Sequence, residues 1–193
     1  MQRCLTDASA LFYTTVQGKA KMKRIGLLSD THSCIDARYA EYFADCDEIW
    51  HAGDVGDMSV IVALEQIAPL RAVSGNIDHG EVKRHCREVE IFETEGVKVL
   101  MTHIGGYPGK YSPGMKRLLK EQGVRLFISG HSHILKVIYD PELQLLHINP
   151  GAAGKQGWQQ KRALVRFTID AGDIKDLEVI EFGAKSCQDD ACK

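Results

Sequence analysis

From Arg24 onward, short apolar runs alternate with amphipathic stretches: RIGLLS, then Ile35 to Phe43, EIWHA, then Met58 to Ile67, then LRAVSG. That rhythm predicts a βαβαβ segment, parallel strands joined by crossover helices. The middle of the chain changes character, because REVEIFETEGVKVLMTH reads as two strands joined at Glu95-Gly96, a hairpin signal. A helix is predicted from Pro113 to Gln122, with Pro113 near its first turn and Gly123 at its end, and RLFISG follows as a buried strand. HILKVIYDPELQLLHINPG and RALVRFTIDAGDIKDLEVIEF each read as a strand pair, turning at Asp140-Pro141-Glu142 and at Ala171-Gly172-Asp173. Three parallel-type units followed by hairpins predict two packed sheets flanked by helices. Residues 22–183 are expected to form the domain, with residues 1–21 as a loosely attached extension and residues 184–193 as a polar tail. Met22, directly before the first strand-like run, is a candidate native start.

Composition narrows this picture. With 193 residues, 44% of them hydrophobic and 26% charged, the chain suits a single domain with a sizeable core. A formal net charge of -2 and a pI near 6.4 exert no pull on polyanions, so a nucleic-acid partner would need a local basic patch, and none is evident. Six cysteines without CxxC pairs argue for reduced thiols and a cytoplasmic location. The apolar runs are too short to span a bilayer, and residues 1–21 lack the apolar stretch of a secretory signal.

Polar residues with metal-ligand chemistry sit immediately after predicted strands, where loops of an open α/β sheet converge. RIGLLS ends at Asp30-Thr31-His32, EIWHA at Gly53-Asp54, LRAVSG at Gly75-Asn76, KVLMT at His103, and RLFIS at Gly130-His131-Ser132-His133. Each has a plain structural alternative. Asp30 and Asp54 could cap helices, His32 could be a surface histidine, and Gly75-Asn76 could be a simple turn. His131 and His133 form an HxH pair, which on a strand would send both rings to one face. Together they offer two carboxylates, four imidazoles and an amide, a nitrogen and oxygen set suited to zinc, manganese or iron. Seven ligands exceed one tetrahedral ion and fit two divalent ions about 3.5–4 Å apart, with Asp54 as the natural bridge.

The blocks DTH at 30–32, GD at 53–54, GN at 75–76, His103 and GHSH at 130–133 resemble the calcineurin-like metallophosphoesterases over nearly all of residues 22–182. NPG at 149–151 adds a likeness to the small prokaryotic phosphodiesterase branch. The resemblance implies a four-layer αββα sandwich of two mixed sheets. It implies a first metal on Asp30, His32, Asp54 and His133, and a second on Asp54, Asn76, His103 and His131. Manganese is favoured over zinc, iron or nickel. The implied reaction is hydrolysis of a small phosphate ester by a hydroxide bridging the metals, with Asp54, Asn76 and His103 as the catalytic set.

One departure matters. Larger members of the family carry a histidine directly after the GN pair to protonate the leaving oxygen, and here that residue is Ile77. Asp78 or His79 could substitute as a proton donor or contact the substrate, and Tyr107, Lys110 and Tyr111 are candidate substrate contacts. Gly105 to Gly109 reads as a loop, His51 as a satisfied interior histidine, and His85 and His147 have no neighbours in sequence to promote them. The strongest non-enzyme alternative is a protein-contact scaffold resembling the retromer subunit that shares the fold. A lactamase-type hydrolase ranks lower, because GHSHIL lacks the Asp-His that should follow its HxH. Exposed hairpin edges would permit self-association.

Overall fold

The computed structural model describes residues 22–184; the expected extension and nearly all of the expected tail lie outside the described residues. In chain order the elements are β1 (Lys23–Leu28), α1 (Arg38–Tyr42), β2 (Glu48–His51), α2 (Met58–Glu65), β3 (Leu70–Ala72) and α3 (Gly80–His85). Then come β4 (Val89–Thr94), β5 (Val97–Thr102), β6 (Gly106–Tyr107), β7 (Lys110–Tyr111), α4 (Met115–Gln122) and β8 (Leu126–Ile128). Two hairpins close the domain: β9 (Leu135–Asp140) with β10 (Leu145–Pro150), and β11 (Lys161–Asp170) with β12 (Asp173–Ala184).

These strands build two five-stranded mixed sheets, ordered β12-β11-β1-β2-β3 and β4-β5-β8-β10-β9. In the first, β1, β2 and β3 run parallel and β11 joins antiparallel to β1. In the second, β5, β8 and β10 run parallel between two antiparallel edge strands.

Three apolar clusters explain the layering. Ile25, Leu27 and Trp50 of the first sheet meet Val99, Met101 and Ile128 of the second in a dry seam between the sheets. The alternate residues Leu28 and Ile49 face outward against Tyr39 and Phe43 around α1 and Val60, Ile61 and Leu64 of α2. On the opposite flank Leu100, Phe127 and Leu145 pack against Met115 and Leu119 of α4. Because side chains alternate across a strand, strands buried on both faces read as unbroken apolar runs. The result is helix, sheet, sheet, helix, the expected four-layer sandwich.

Several local expectations change. The helix expected from Ile35 is confined to Arg38–Tyr42, since the Asp36 carboxylate accepts from the Arg38 backbone and side chain and from buried Arg162 of β11. The Glu95-Gly96 turn, with both residues at positive φ, forms as the hairpin signal requires. Gly105 to Gly109 is not a plain loop: β6 and β7 pair within it. Helix α3 was not anticipated. Cys46 and Cys86 are free thiols. No helix among the described residues is long and apolar enough to cross a membrane.

Candidate metal centre

Parallel strands of both sheets end at the same rim, and the turns leaving them carry the ligand-type residues. Asp30 and His32 follow β1, Asp54 follows β2, Asn76 follows β3, His103 follows β5, and His131 and His133 follow β8. The structure gathers six of these into two clusters, Asp30 with His32 and His133, and Asp54 with His103 and His131, the ligand atoms of each lying within 4.8 Å of one another. In the first, His133 Nε2 lies 3.1 Å from Asp30 Oδ1 and 3.3 Å from His32 Nε2. The clusters touch through Asp54, whose Oδ1 is 3.2 Å from His103 Nε2 and whose Oδ2 is 3.8 Å from His32 Nε2.

Sequence reasoning missed how this is achieved. Asp30, His32, Asp54, His131 and His133 all adopt left-handed backbone, with φ of 56°, 49°, 54°, 67° and 56°. Such conformations cost a non-glycine residue about 1–2 kcal/mol each and persist where surrounding bonds over-determine them. Here the Asp30 N–H donates to Gly53 O at 2.9 Å, the His32 N–H to Asp54 O at 3.0 Å and the Gly130 N–H to His103 O at 3.0 Å. Asn149 of the NPG block donates to Gly130 O at 2.7 Å and so fixes the histidine loop. Gly130 is needed because a Cβ there would lie 2.1 Å from Ser29 Oγ. The HxH pair is corrected accordingly: β8 ends at Ile128, His131 and His133 lie in a left-handed turn, and their rings enter different clusters.

Supporting bonds aim the rings. His103 Nδ1 donates to Ala52 O at 2.8 Å, and His133 Nδ1 donates to Gln159 Oε1 at 3.0 Å, leaving each Nε2 directed at the cluster. Gln159 is itself held, donating to Gln156 O at 2.6 Å. Burial draws the His103 pKa down, but the Asp54 and Asp30 carboxylates outweigh it and the net shift is upward. The adjacent Asp30 carboxylate raises His133. Burial lowers His32 despite the same two carboxylates. Burial pulls the Asp54 pKa up, but the His103 ring beside it and the N–H that Ile77 donates outweigh it, and the carboxyl stays depressed.

The donor set fits divalent cations on a direct observation: Asp30 Oδ1 and His103 Nε2 are buried with no hydrogen-bond partner. Orphaned buried acceptors of this kind cost about 1–3 kcal/mol each unless something satisfies them. Nitrogen and oxygen donors without thiolate suit zinc, manganese or iron.

The remaining expected residues fall differently. Asn76 is exposed, but the Gly75 backbone beside it abuts Asp54, and the Ile77 N–H donates to Asp54 Oδ1 at 3.1 Å. Asp78, expected as a substrate contact or proton donor, is buried and spends its carboxylate on the backbone N–H groups of Val55, Gly56 and Gly75. His79 is exposed at the start of α3 and belongs to neither cluster. Tyr107 lines a small cavity beside His103 and His131, while the Tyr111 hydroxyl donates to Asp140 at 2.5 Å. His51 bonds Thr31 Oγ1 at 2.9 Å and accepts from the Gly53 N–H, a structural role under the ligand turn.

Comparison with known proteins agrees with this architecture. Residues 22–172 match the model of the calcineurin-like phosphoesterase superfamily domain. A protein of Methanothermobacter thermautotrophicus described as a "Probable metallophosphoesterase" is 32% identical over 171 residues, covering 85% of this chain and 95% of that protein. A Thermotoga maritima protein solved by solution NMR superposes with a TM-score of 0.61 at 25% identity, over 83% of this chain and 99% of that one. Vacuolar protein sorting 29 (Vps29) of Entamoeba histolytica, solved with zinc, superposes with a TM-score of 0.57 at 16% identity, over 83% of this chain and 99% of its own, a likeness of fold alone. By the match across most of its length, the chain belongs to the calcineurin-like phosphoesterase superfamily.

Proposed function

We propose that the protein is a phosphodiesterase that hydrolyses small phosphate esters at a centre of two divalent cations. The observation that carries this reading is the Asp54 carboxylate, which turns one oxygen to the His103 cluster and the other to the His32 cluster. Asp30, His32, Asp54 and His133 would hold one ion, and Asp54, Asn76, His103 and His131 the other. Manganese is favoured, from the resemblance in sequence. When bound, such cations offset phosphate charge and make a water acidic enough to attack phosphorus near neutral pH.

The chain's own residues set the limits of this chemistry. Ala52 O and Gln159 hold His103 and His133 in the tautomer whose Nε2 is free to ligate, a supporting role seen around metal-binding histidines generally. Neither Ile77 nor Asp78 supplies a general acid: Ile77 has no proton to give, and Asp78 is committed to three backbone amides. Esters with good leaving groups, aryl esters and activated diesters, are therefore the preferred substrates.

The competing reading is a scaffold, favoured by the fold it shares with Vps29. Hydrolysis of bis(p-nitrophenyl) phosphate by manganese-loaded protein separates the two. Turnover that Asp54→Asn abolishes supports the enzyme. A metal-loaded protein that leaves every phosphate ester intact supports the scaffold. The same reading places the protein in the cytoplasm, with self-association through its exposed sheet edges.

A further inference from the structure

Beside the second metal cluster lies a cavity of about 100 Å³, lined by β6 and the turn before it, by the loop that follows β8, and by residues of β9 and β10. His103 and His131 stand at its mouth, and Tyr107, Ser132, Lys136 and His147 line it. Its most unusual occupant is His147, fully buried with neither ring nitrogen hydrogen-bonded. The ring stacks against Phe127 at 5.0 Å between centroids, and burial, against an opposing pull from the Phe127 backbone and with a smaller push from the Lys136 charge, brings its pKa down to about 4. It is therefore neutral near pH 7, with one N–H to donate and one lone pair to accept. Lys136 Nζ sits 3.2 Å from the centre of the Tyr107 ring, a cation–π contact that places its charge beside the cavity. None of the lining residues is acidic. A larger cavity of about 410 Å³, near Arg71 and Glu90, offers no such feature, since those two residues already pair with each other.

We infer that this cavity is a specificity pocket for a compact anionic substituent, a carboxylate or second phosphoryl group, carried by the ester whose phosphorus sits at the metal centre, with His147 and Lys136 as its recognition residues. The inference rests on the proposed function and sharpens it. Size favours a compact group: about 100 Å³ falls below the several hundred cubic ångströms of pockets that enclose a drug-sized ligand. Charge sets the sign, because Lys136 and the unpaired His147 ring line a cavity with no acidic residue in its wall, which favours an acceptor that carries negative charge. Burial of an unpaired imidazole is costly, and a ligand oxygen meeting its N–H would recover that cost.

The test compares inhibitors that present the same phosphonate to the metals and differ only in the appended acid: methylphosphonate against phosphonoformate, phosphonoacetate and 3-phosphonopropionate. Competitive inhibition constants are measured on manganese-loaded protein hydrolysing bis(p-nitrophenyl) phosphate, with calorimetric titration of the same compounds alongside. The best carboxylate-bearing compound is expected to bind about tenfold tighter than methylphosphonate, the yield of one charge-assisted bond. That preference falls to threefold or less in Lys136→Met, a substitution at a partly exposed edge-strand position where folding is not at stake, and in His147→Phe. A wild-type preference of threefold or less overturns the pocket, and so does a larger preference that both variants retain, which would mean chelation by the metals alone. If no ester is hydrolysed, the reading of the metal centre fails separately, and the calorimetric ratio still decides the pocket.

Discussion

Gly75 and Asp54 are in such close contact that a Cβ on Gly75 would lie 2.1 Å from Asp54 Oδ1 and 2.3 Å from the Asp54 backbone nitrogen. The glycine thus lets the β3 turn press against the carboxylate that joins the two clusters. Gly75→Ala must displace Asp54 or the Asn76 loop. The expected outcome is a fall in manganese affinity of about tenfold or more, by analogy with the loss of groups that orient metal ligands, read by equilibrium dialysis. Retention of full affinity would show that Asp54 is not held in place by this contact.

Gln159 is remote from the ligand clusters in sequence yet accepts the Nδ1 proton of His133. Gln159→Leu removes the acceptor while keeping bulk. Metal affinity is expected to drop about 10- to 100-fold with little change in far-UV circular dichroism. Calorimetric titration of zinc or manganese into wild type and variant checks it, and equal constants would dismiss the supporting role.

The metal-free protein should lose stability in mild acid. Burial first, against the opposing pull of Asp78 and Asp30, lowers the His51 pKa to about 4, well below the 6.5 it has when exposed. The unfolded chain therefore binds a proton that the folded chain refuses, so stability is full above pH 6.5 and declines as the pH falls from there towards 4. The slope amounts to about 3 kcal/mol for this one group over that interval. Urea midpoints measured between pH 7 and 4 check the sign, and a midpoint that rises on acidification contradicts it. His147, with a pKa also near 4, adds in the same direction, whereas His103 and His133, raised by neighbouring carboxylates, act in the opposite one. The sign is therefore read as the difference from a His51→Gln variant.

Ile77 directly follows the GN pair, where the resemblance in sequence implies a proton-donating histidine in larger family members, and its N–H points to Asp54. Ile77→His is expected to raise kcat/KM on alkyl phosphates by about tenfold or more, the low end of general-acid effects, and to leave p-nitrophenyl esters nearly unchanged. A plot of rate against leaving-group pKa reads this, and an equal change across the series would reject the general-acid explanation.

Much of this fold was legible before any coordinates. β1, β2 and β5 are buried on both faces, so Ile25 to Leu28, Ile49-Trp50 and Val99 to Met101 read as continuous apolar runs, and the polar residues closing them stand out. The αββα order followed from that rhythm and from the hairpins. Three features did not show. Helix α3 buries only Val82, too little to leave a periodic trace. The β6 and β7 strands are two residues each, below the length at which alternation can be counted. The left-handed turns at Asp30, Asp54, His131 and His133 run against local propensity and are imposed by bonds from Gly53, Val55 and Asn149 in other segments. His147 was invisible for the same reason, since Lys136, Tyr107 and Phe127 reach it from three different strands.

The central claim is that two cations share Asp54. Anomalous diffraction from crystals grown with manganese tests it most directly. The account predicts two peaks about 3.5–4 Å apart, with one Asp54 oxygen near each and His103 and His133 on opposite ions. A single peak, or two peaks with Asp54 touching neither, would contradict it.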